Sequence, residues 1–108
     1  MHDFEEVARI DELPENGGLE VRLGERTIGL FKVDGRVFAI DNECPHRGGP
    51  LNEGQTDGVE VICPWHGWTF HLGSGECTFI QGMQVACYPV RVEGEKVLVS
   101  KVATAKED

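Results

Sequence analysis

Two short segments constrain this chain more than anything else in it: Cys44-Pro45-His46-Arg47-Gly48-Gly49 and Cys63-Pro64-Trp65-His66-Gly67-Trp68. Each supplies one thiol and one imidazole, spaced Cys-x-His in the first and Cys-x-x-His in the second, with 16 residues between His46 and Cys63. Two Cys and two His on short loops bounded by Pro and Gly make a donor set for a metal centre.

The remaining residues set the frame that carries these loops. At 108 residues the chain is expected to form a single domain, residues 1–108, with a modest core. Hydrophobic residues make up 40% and charged residues 27%, the balance of a soluble globular protein. No apolar run approaches the ~20 residues that cross a bilayer. The acidic start, Met1-His2-Asp3-Phe4-Glu5-Glu6, has no basic and apolar leader, so a cytoplasmic setting is expected. The formal net charge of −9 disfavours nucleic acid and anionic membrane as partners. Two readings of that charge stand together: attraction to a partner with a basic docking patch, or solubility alone. Of the four cysteines, Cys77 and Cys87 fall outside the paired spacing and read as small buried hydrophobes or incidental thiols.

Period-two alternation and turn residues predict an all-β chain. A first strand carries Phe4 and Val7, and a turn follows at residues 14–18. Leu19 to Leu23 alternates as a half-buried strand, and Thr27 to Val33 is a more continuous apolar one. Asp34-Gly35 is a two-residue hairpin signal, with Arg36 to Ile40 returning. Asp57-Gly58 turns into a strand at Val59 to Cys63, and Trp68 to Leu72 alternates again, placing Trp68, Phe70 and Leu72 on a core face. On the opposite face, His71 is expected to be solvated, and His2 lies in a terminus expected to be loose. Glu76 to Phe79 suits a short strand, Ile80 to Ala86 a loop, and Tyr88 to Val92 with Lys96 to Ser100 a closing hairpin. The tail from Val102 is polar and expected to fray. No helical period is sustained. The fold class is therefore antiparallel all-β, a sandwich or barrel, with residues 41–72 forming a small subdomain that presents both loops.

Three chemistries compete for the donor set. Structural zinc is usually held by halves that each contribute like ligands, C-x₂₋₄-C with H-x₃₋₅-H, whereas each half here mixes Cys and His. A catalytic Cys–His dyad needs one thiol and one base, which leaves the duplication unexplained. In a Rieske [2Fe–2S] centre two His replace two Cys on one of the two irons, and Cys44-x-His46 with Cys63-x-x-His66 carries that signature. The chain resembles the small Rieske-type ferredoxins of bacterial oxygenase systems, and the small subunit of NAD(P)H-dependent nitrite reductases. The resemblance extends over nearly all of it: the Asp34-Gly35 hairpin, residues 44–51 (CPHRGGPL), residues 63–70 (CPWHGWTF) and residues 88–94 (YPVRVEG).

The resemblance implies one [2Fe–2S] cluster, its inner iron on Cys44 and Cys63 and its outer iron on His46 and His66. It implies a one-electron carrier, not an enzyme, between a flavin-dependent NAD(P)H reductase and a terminal oxygenase; the alternative is the small subunit beside the large subunit of a nitrite reductase. Neutral imidazoles make the outer iron the more electron-poor. They also raise the potential above the about −400 mV of all-Cys plant-type centres. Respiratory Rieske proteins add a disulfide and Ser and Tyr hydroxyls beside the cluster. The corresponding positions here are Gly49, Trp65, Trp68 and Phe70, which supply neither, so a potential in the lower part of the Rieske range is expected. Gly48, Gly49 and Gly67 are expected to let backbone N–H groups approach the cluster, and Pro45 and Pro64 to stiffen the loops. Trp65 reads either as a docking tip or as a shield against water. Arg47 reads as a surface ion pair with Glu43 or Glu53, or as an orienting group for a partner. The Gln81-Gly82-Met83-Gln84 loop is either a third wall over the cluster or an uninvolved hairpin.

Overall fold

The structure, a computed structural model, describes residues 4–44, 48–65, 67–78, 80 and 82–100. Among the described residues, ten strands form three antiparallel sheets. The first sheet contains β1 (Phe4–Arg9), β9 (Val90–Glu93) and β10 (Lys96–Ser100) in the order β1-β10-β9. The second contains β2 (Gly17–Leu23), β3 (Arg26–Val33), β4 (Arg36–Asp41) and β8 (Cys87–Tyr88), in that order. The third is β5 (Gln55–Asp57), β6 (Glu60–Ile62) and β7 (Thr69–His71). Helix among the described residues is limited to two 3-10 turns, Ile10–Glu12 and Leu51–Glu53.

The apolar run of β3 follows from its position. Successive side chains alternate faces, and both faces of the second sheet are covered. Ile28 and Leu30 pack on one side with Val97 and Val99 of the first sheet. Phe31 and Val33 pack on the other with Cys44, Cys63, Phe70 and Leu72. β4 divides likewise, Ala39 toward the first core and Ile40 toward the second. The two cysteines of the paired motifs are thus part of the second core, and the frame behind them is a sheet buried on both sides.

The expected turn at Asp34-Gly35 is present, with both residues at positive φ (52° and 78°) as a type I′ hairpin requires. Three details differ from expectation. Tyr88 does not belong to the closing hairpin: it pairs with Ala39 of β4, and the chain changes sheets at Pro89. Proline has no N–H for a ladder, and the Pro89 carbonyl still accepts from Ser100 N–H at 3.0 Å. β5 is a strand with no apolar residue; it forms an edge against β6, and Thr56 Oγ1 donates to the Asn16 carbonyl at 2.7 Å. Around Glu76 only isolated bridges form, Phe70 with Cys77 and Glu76 with Gln84, while Phe79 lies outside the described residues.

Candidate metal centre

Both motif loops are built to one hydrogen-bond plan. In the first, Cys44 N–H donates to the Gly49 carbonyl at 2.9 Å, and Gly48 N–H donates back to the Cys44 carbonyl at 2.7 Å. In the second, Cys63 N–H donates to the Trp68 carbonyl at 2.7 Å, and Gly67 N–H donates to the Cys63 carbonyl at 3.0 Å. The glycine at the same step of each loop has nearly the same backbone, φ 78° at Gly48 and 76° at Gly67. That conformation is costly for any residue with a Cβ. The duplication visible in the motifs extends to the hydrogen bonds and the glycine conformation of the described residues in both loops.

The loops meet. A Cβ placed on Gly49 would lie 2.9 Å from Cys63 Sγ and 3.1 Å from Trp65 Cγ, so only glycine lets the first loop come this close to the second. Cys44 and Cys63 are both buried, at 1% and 3% exposure, and neither is in a disulfide. Two buried, unoxidised thiols at the tips of facing hairpins suit a thiolate-bound metal group, and the glycine cradle leaves room beside one sulfur. His46, His66 and Arg47 lie outside the described residues, as do Pro45 and Gln81. Among the described residues no third His, Cys, Asp or Glu completes a metal-binding group.

Trp65 is exposed by 54% at the tip of the second loop, with Pro64 and Gly67 also exposed beside it. Trp68 is half-buried and packs with fully buried Phe70 and Leu72 on the second core, as their alternation predicts. Met83 packs on the same core. Cys77 is buried there and its sulfur accepts from Ile80 N–H at 3.4 Å. Cys87 is half-buried at the margin of this core; burial, with the negative charge of Asp41 second, pushes its thiol up to about 11.

Three polar features near the site have no signal in the sequence. His71 is not simply solvated: its Nδ1 accepts from Gly73 N–H (3.1 Å) and Ser74 N–H (3.2 Å), closing the turn after β7. Tyr88 donates to Asp41 Oδ1 at 2.6 Å and accepts from Arg26 Nη1 at 2.8 Å, joining β3, β4 and β8 just before the first loop. Burial and then the hydrogen bond to Asp41 raise the Tyr88 phenol, and the Tyr88 bond raises the Arg26 guanidinium. The third is a buried asparagine, Asn42, taken up below. Beside the first loop, Glu25, Arg26, Asp41 and Glu43 line an open recess in which carboxylates predominate.

Fold and site define a class: an antiparallel β frame carrying two cysteine loops with matched hydrogen bonds, both thiols buried. Comparison with known families supplies the particular one. Residues 3–89 match the Rieske [2Fe-2S] domain, and the chain belongs to this family, which implies a Rieske-type cluster. The chain is 30% identical over 96 residues to the ferredoxin component of the naphthalene 1,2-dioxygenase/salicylate 5-hydroxylase systems of Ralstonia sp., covering 87% of this chain and 91% of that one. Its structure is similar to the ferredoxin of carbazole 1,9a-dioxygenase from Nocardioides aromaticivorans IC177, with a TM-score of 0.83, 26% identity, and 89% and 95% of the two chains covered. It is also similar to a nitrite reductase small subunit, described as putative and NADH-dependent, from Mycobacterium tuberculosis, with a TM-score of 0.87, 27% identity, and 96% and 99% covered.

Proposed function

We propose that this chain is a Rieske-type ferredoxin, a one-electron carrier from an NAD(P)H-dependent flavin reductase to a terminal oxygenase. The observation that carries the reading is the pair of matched hairpins with buried, unoxidised Cys44 and Cys63 at their tips. In this reading one cluster is held, with Cys44 and Cys63 on the inner iron and His46 and His66 on the outer. A bound cluster of this kind supplies one reversible electron-accepting site. The chain's own residues do no acid–base or nucleophilic work. Gly48, Gly49 and Gly67 set the backbone around the sulfurs, Trp68 backs the second loop from the core, and Pro64 and Trp65 cover its exposed tip. Residues 41–72 act as the cluster-binding part of a single domain spanning 1–108, with Met83 and its neighbours as a third wall. Arg47 faces a partner or pairs with a surface carboxylate.

None of the four cysteines is in a disulfide, which suits a reducing cytoplasm. None of the described helices is long and apolar enough to cross a membrane. The acidic recess beside the first loop, within a chain of net charge −9, suits a partner with a basic docking patch.

The test is reconstitution with iron and sulfide, followed by visible and electron paramagnetic resonance spectra and a potential titration. A Rieske spectrum with a potential in the lower part of the about −150 to +300 mV range is expected. A colourless zinc protein refutes the reading, and a potential above about +150 mV refutes its account of the missing hydroxyls. Reduction by a flavin reductase should slow as salt is added, because screening weakens docking of an acidic surface. The likeness to the nitrite reductase small subunit favours a second reading, a permanent electron-transfer subunit. Stable co-purification with a sirohaem-containing large subunit would select it. A free chain that speeds cytochrome c reduction by a flavin reductase would select the carrier.

A further inference from the structure

Asn42 follows β4 and stands two residues before Cys44. It is 3% exposed, one of two buried polar side chains among the described residues. Every polar group it has is engaged. Its N–H donates to the Thr27 carbonyl at 3.1 Å, and its carbonyl accepts from Leu51 N–H at 2.7 Å. Its Oδ1 accepts from Asn52 N–H at 2.7 Å, while its Nδ2 donates to Asn52 Oδ1 at 2.8 Å and makes a longer contact of 3.4 Å to Glu20 Oε2. Asn42 and Asn52 thus hold each other reciprocally across the base of the first loop. Two glycines clear the space: a Cβ on Gly29 would lie 2.9 Å from Asn42 Oδ1, and one on Gly18 would lie 2.8 Å from Asn52 Cα.

The pair spans a joint that no strand ladder closes. β4 belongs to the second sheet, whereas the chain after Asn52 enters β5 of the third. Between them lie the Glu43–Pro50 bridge and then the Cys44–Gly49 tip, so the position of Cys44 is set from this base outward. A buried amide with all its partners satisfied is a specific constraint, because any displacement leaves a desolvated donor or acceptor.

We infer that the Asn42–Asn52 amide pair is a positioning device that seats the first loop so that Cys44 faces Cys63. It touches neither sulfur and acts through the loop. The inference rests on the metal-centre reading above only for its iron readout.

The variants are Asn52→Ala and Asn52→Asp. Asn52 uses its side chain only as an acceptor, so aspartate keeps the bond and alanine removes it. Two measurements are made on the full chain: iron release from the reconstituted protein to a chelator, and alkylation of Cys44 relative to buried Cys77 in the metal-free protein, read by mass spectrometry. Asn52→Ala is expected to release iron about 10–100-fold faster. Its Cys44 alkylation should rise by about tenfold relative to Cys77. Asn52→Asp should fall between Asn52→Ala and the unsubstituted chain in both, since it keeps the acceptor but sets a carboxylate beside Glu20. A merely structural role would raise Cys44 and Cys77 reactivity together; that result, or aspartate being as damaging as alanine, overturns the inference. If the unsubstituted chain takes up no iron, the metal-centre reading fails, and the alkylation comparison still decides the positioning role.

Discussion

The two cysteine loops share a tip and differ at the root. At the tip both use the same pair of backbone hydrogen bonds and a glycine near φ 77°, 78° in one and 76° in the other. The second loop continues a hairpin: below Cys63, Ile62 pairs with Thr69 and Val61 with Phe70, and Val61 and Phe70 are fully buried. The first loop has no such ladder; its ends belong to different sheets and are joined by Asn42 and Asn52. The shared hydrogen bonds and glycine are therefore local to each tip, while their retention is delegated to whatever the frame offers at each root. One root is part of the apolar core and should fail only when the core fails. The other adds a polar joint to buried Leu51 and Cys44, and that joint should loosen by itself.

The largest test of this contrast is Phe70→Ala. Emptying a fully buried phenylalanine site costs about 3–5 kcal/mol, a large part of the about 5–15 kcal/mol that typically stabilises a domain. Denaturant unfolding should show that loss, with Cys44, Cys63 and Cys77 becoming reactive together because all three share its core. If Cys63 alone became reactive, the second root would not be integral to the core, and the contrast would collapse.

Gly49→Ala comes next and acts on both loops at once. The added Cβ would fall 2.9 Å from Cys63 Sγ. Overpacking of this kind costs about 1–3 kcal/mol, but iron occupancy should fall by more than that stability loss implies, since the displaced atom is a ligand in the proposed centre. Metal analysis beside a denaturation curve separates the two. Smaller still are the twin substitutions Gly48→Ala and Gly67→Ala. Each forces a Cβ into the left-handed region at about 1–2 kcal/mol. The nearest described neighbour at Gly48 is Glu43 Oε2 at an ordinary 3.4 Å, and at Gly67 none of the described residues comes within 4 Å. Equal losses in unfolding free energy are expected; a clear inequality would mean that the tips are not equivalent.

Much of this arrangement is legible in the sequence, where a local rule governs it. Alternation identifies β2 and the buried Phe70 and Leu72, the Asp34-Gly35 pair identifies its hairpin, and the paired Cys-x-His and Cys-x-x-His spacings mark out the two loops whose cysteines the fold buries in one core. The features that escape are those decided by distant partners. β5 carries Gln55-Thr56-Asp57, which shows no alternation because it is an edge strand with little to bury. The change of sheets at Pro89 depends on β4 being free to accept Tyr88. Asn42 and Asn52 are ten residues apart in the chain, and such polar residues read locally as turn formers; only the fold reveals that they bond each other. His71 shows the same limit, since its role comes from the turn that follows it.

The weakest expected effect concerns pH and again falls on the first root alone. Cys87 and Tyr88 form β8, which pairs with Ile40 and Ala39 of β4, immediately before Asp41 and the first loop. The Cys87 thiol is raised from 9.0 to about 11, chiefly by burial, and Tyr88 is raised by burial and by its bond to Asp41. The folded state thus favours both neutral forms. Their contribution is fully present below the unfolded-state value of 9.0 for Cys87 and is lost as pH rises through about 11. Charge appearing there repels Asp41 and loosens the β4–β8 pairing, while β6 and β7 pair with neither strand. In the metal-free protein, Cys44 alkylation relative to Cys63 should therefore climb across this window. Because Cys87 is only half-buried, solvent screening keeps the effect modest. Cys87→Ser removes the titrating thiol at nearly constant size and should flatten the climb. A ratio that rises as steeply in the serine variant would place the alkaline weakness elsewhere and remove pH as a means of separating the two roots.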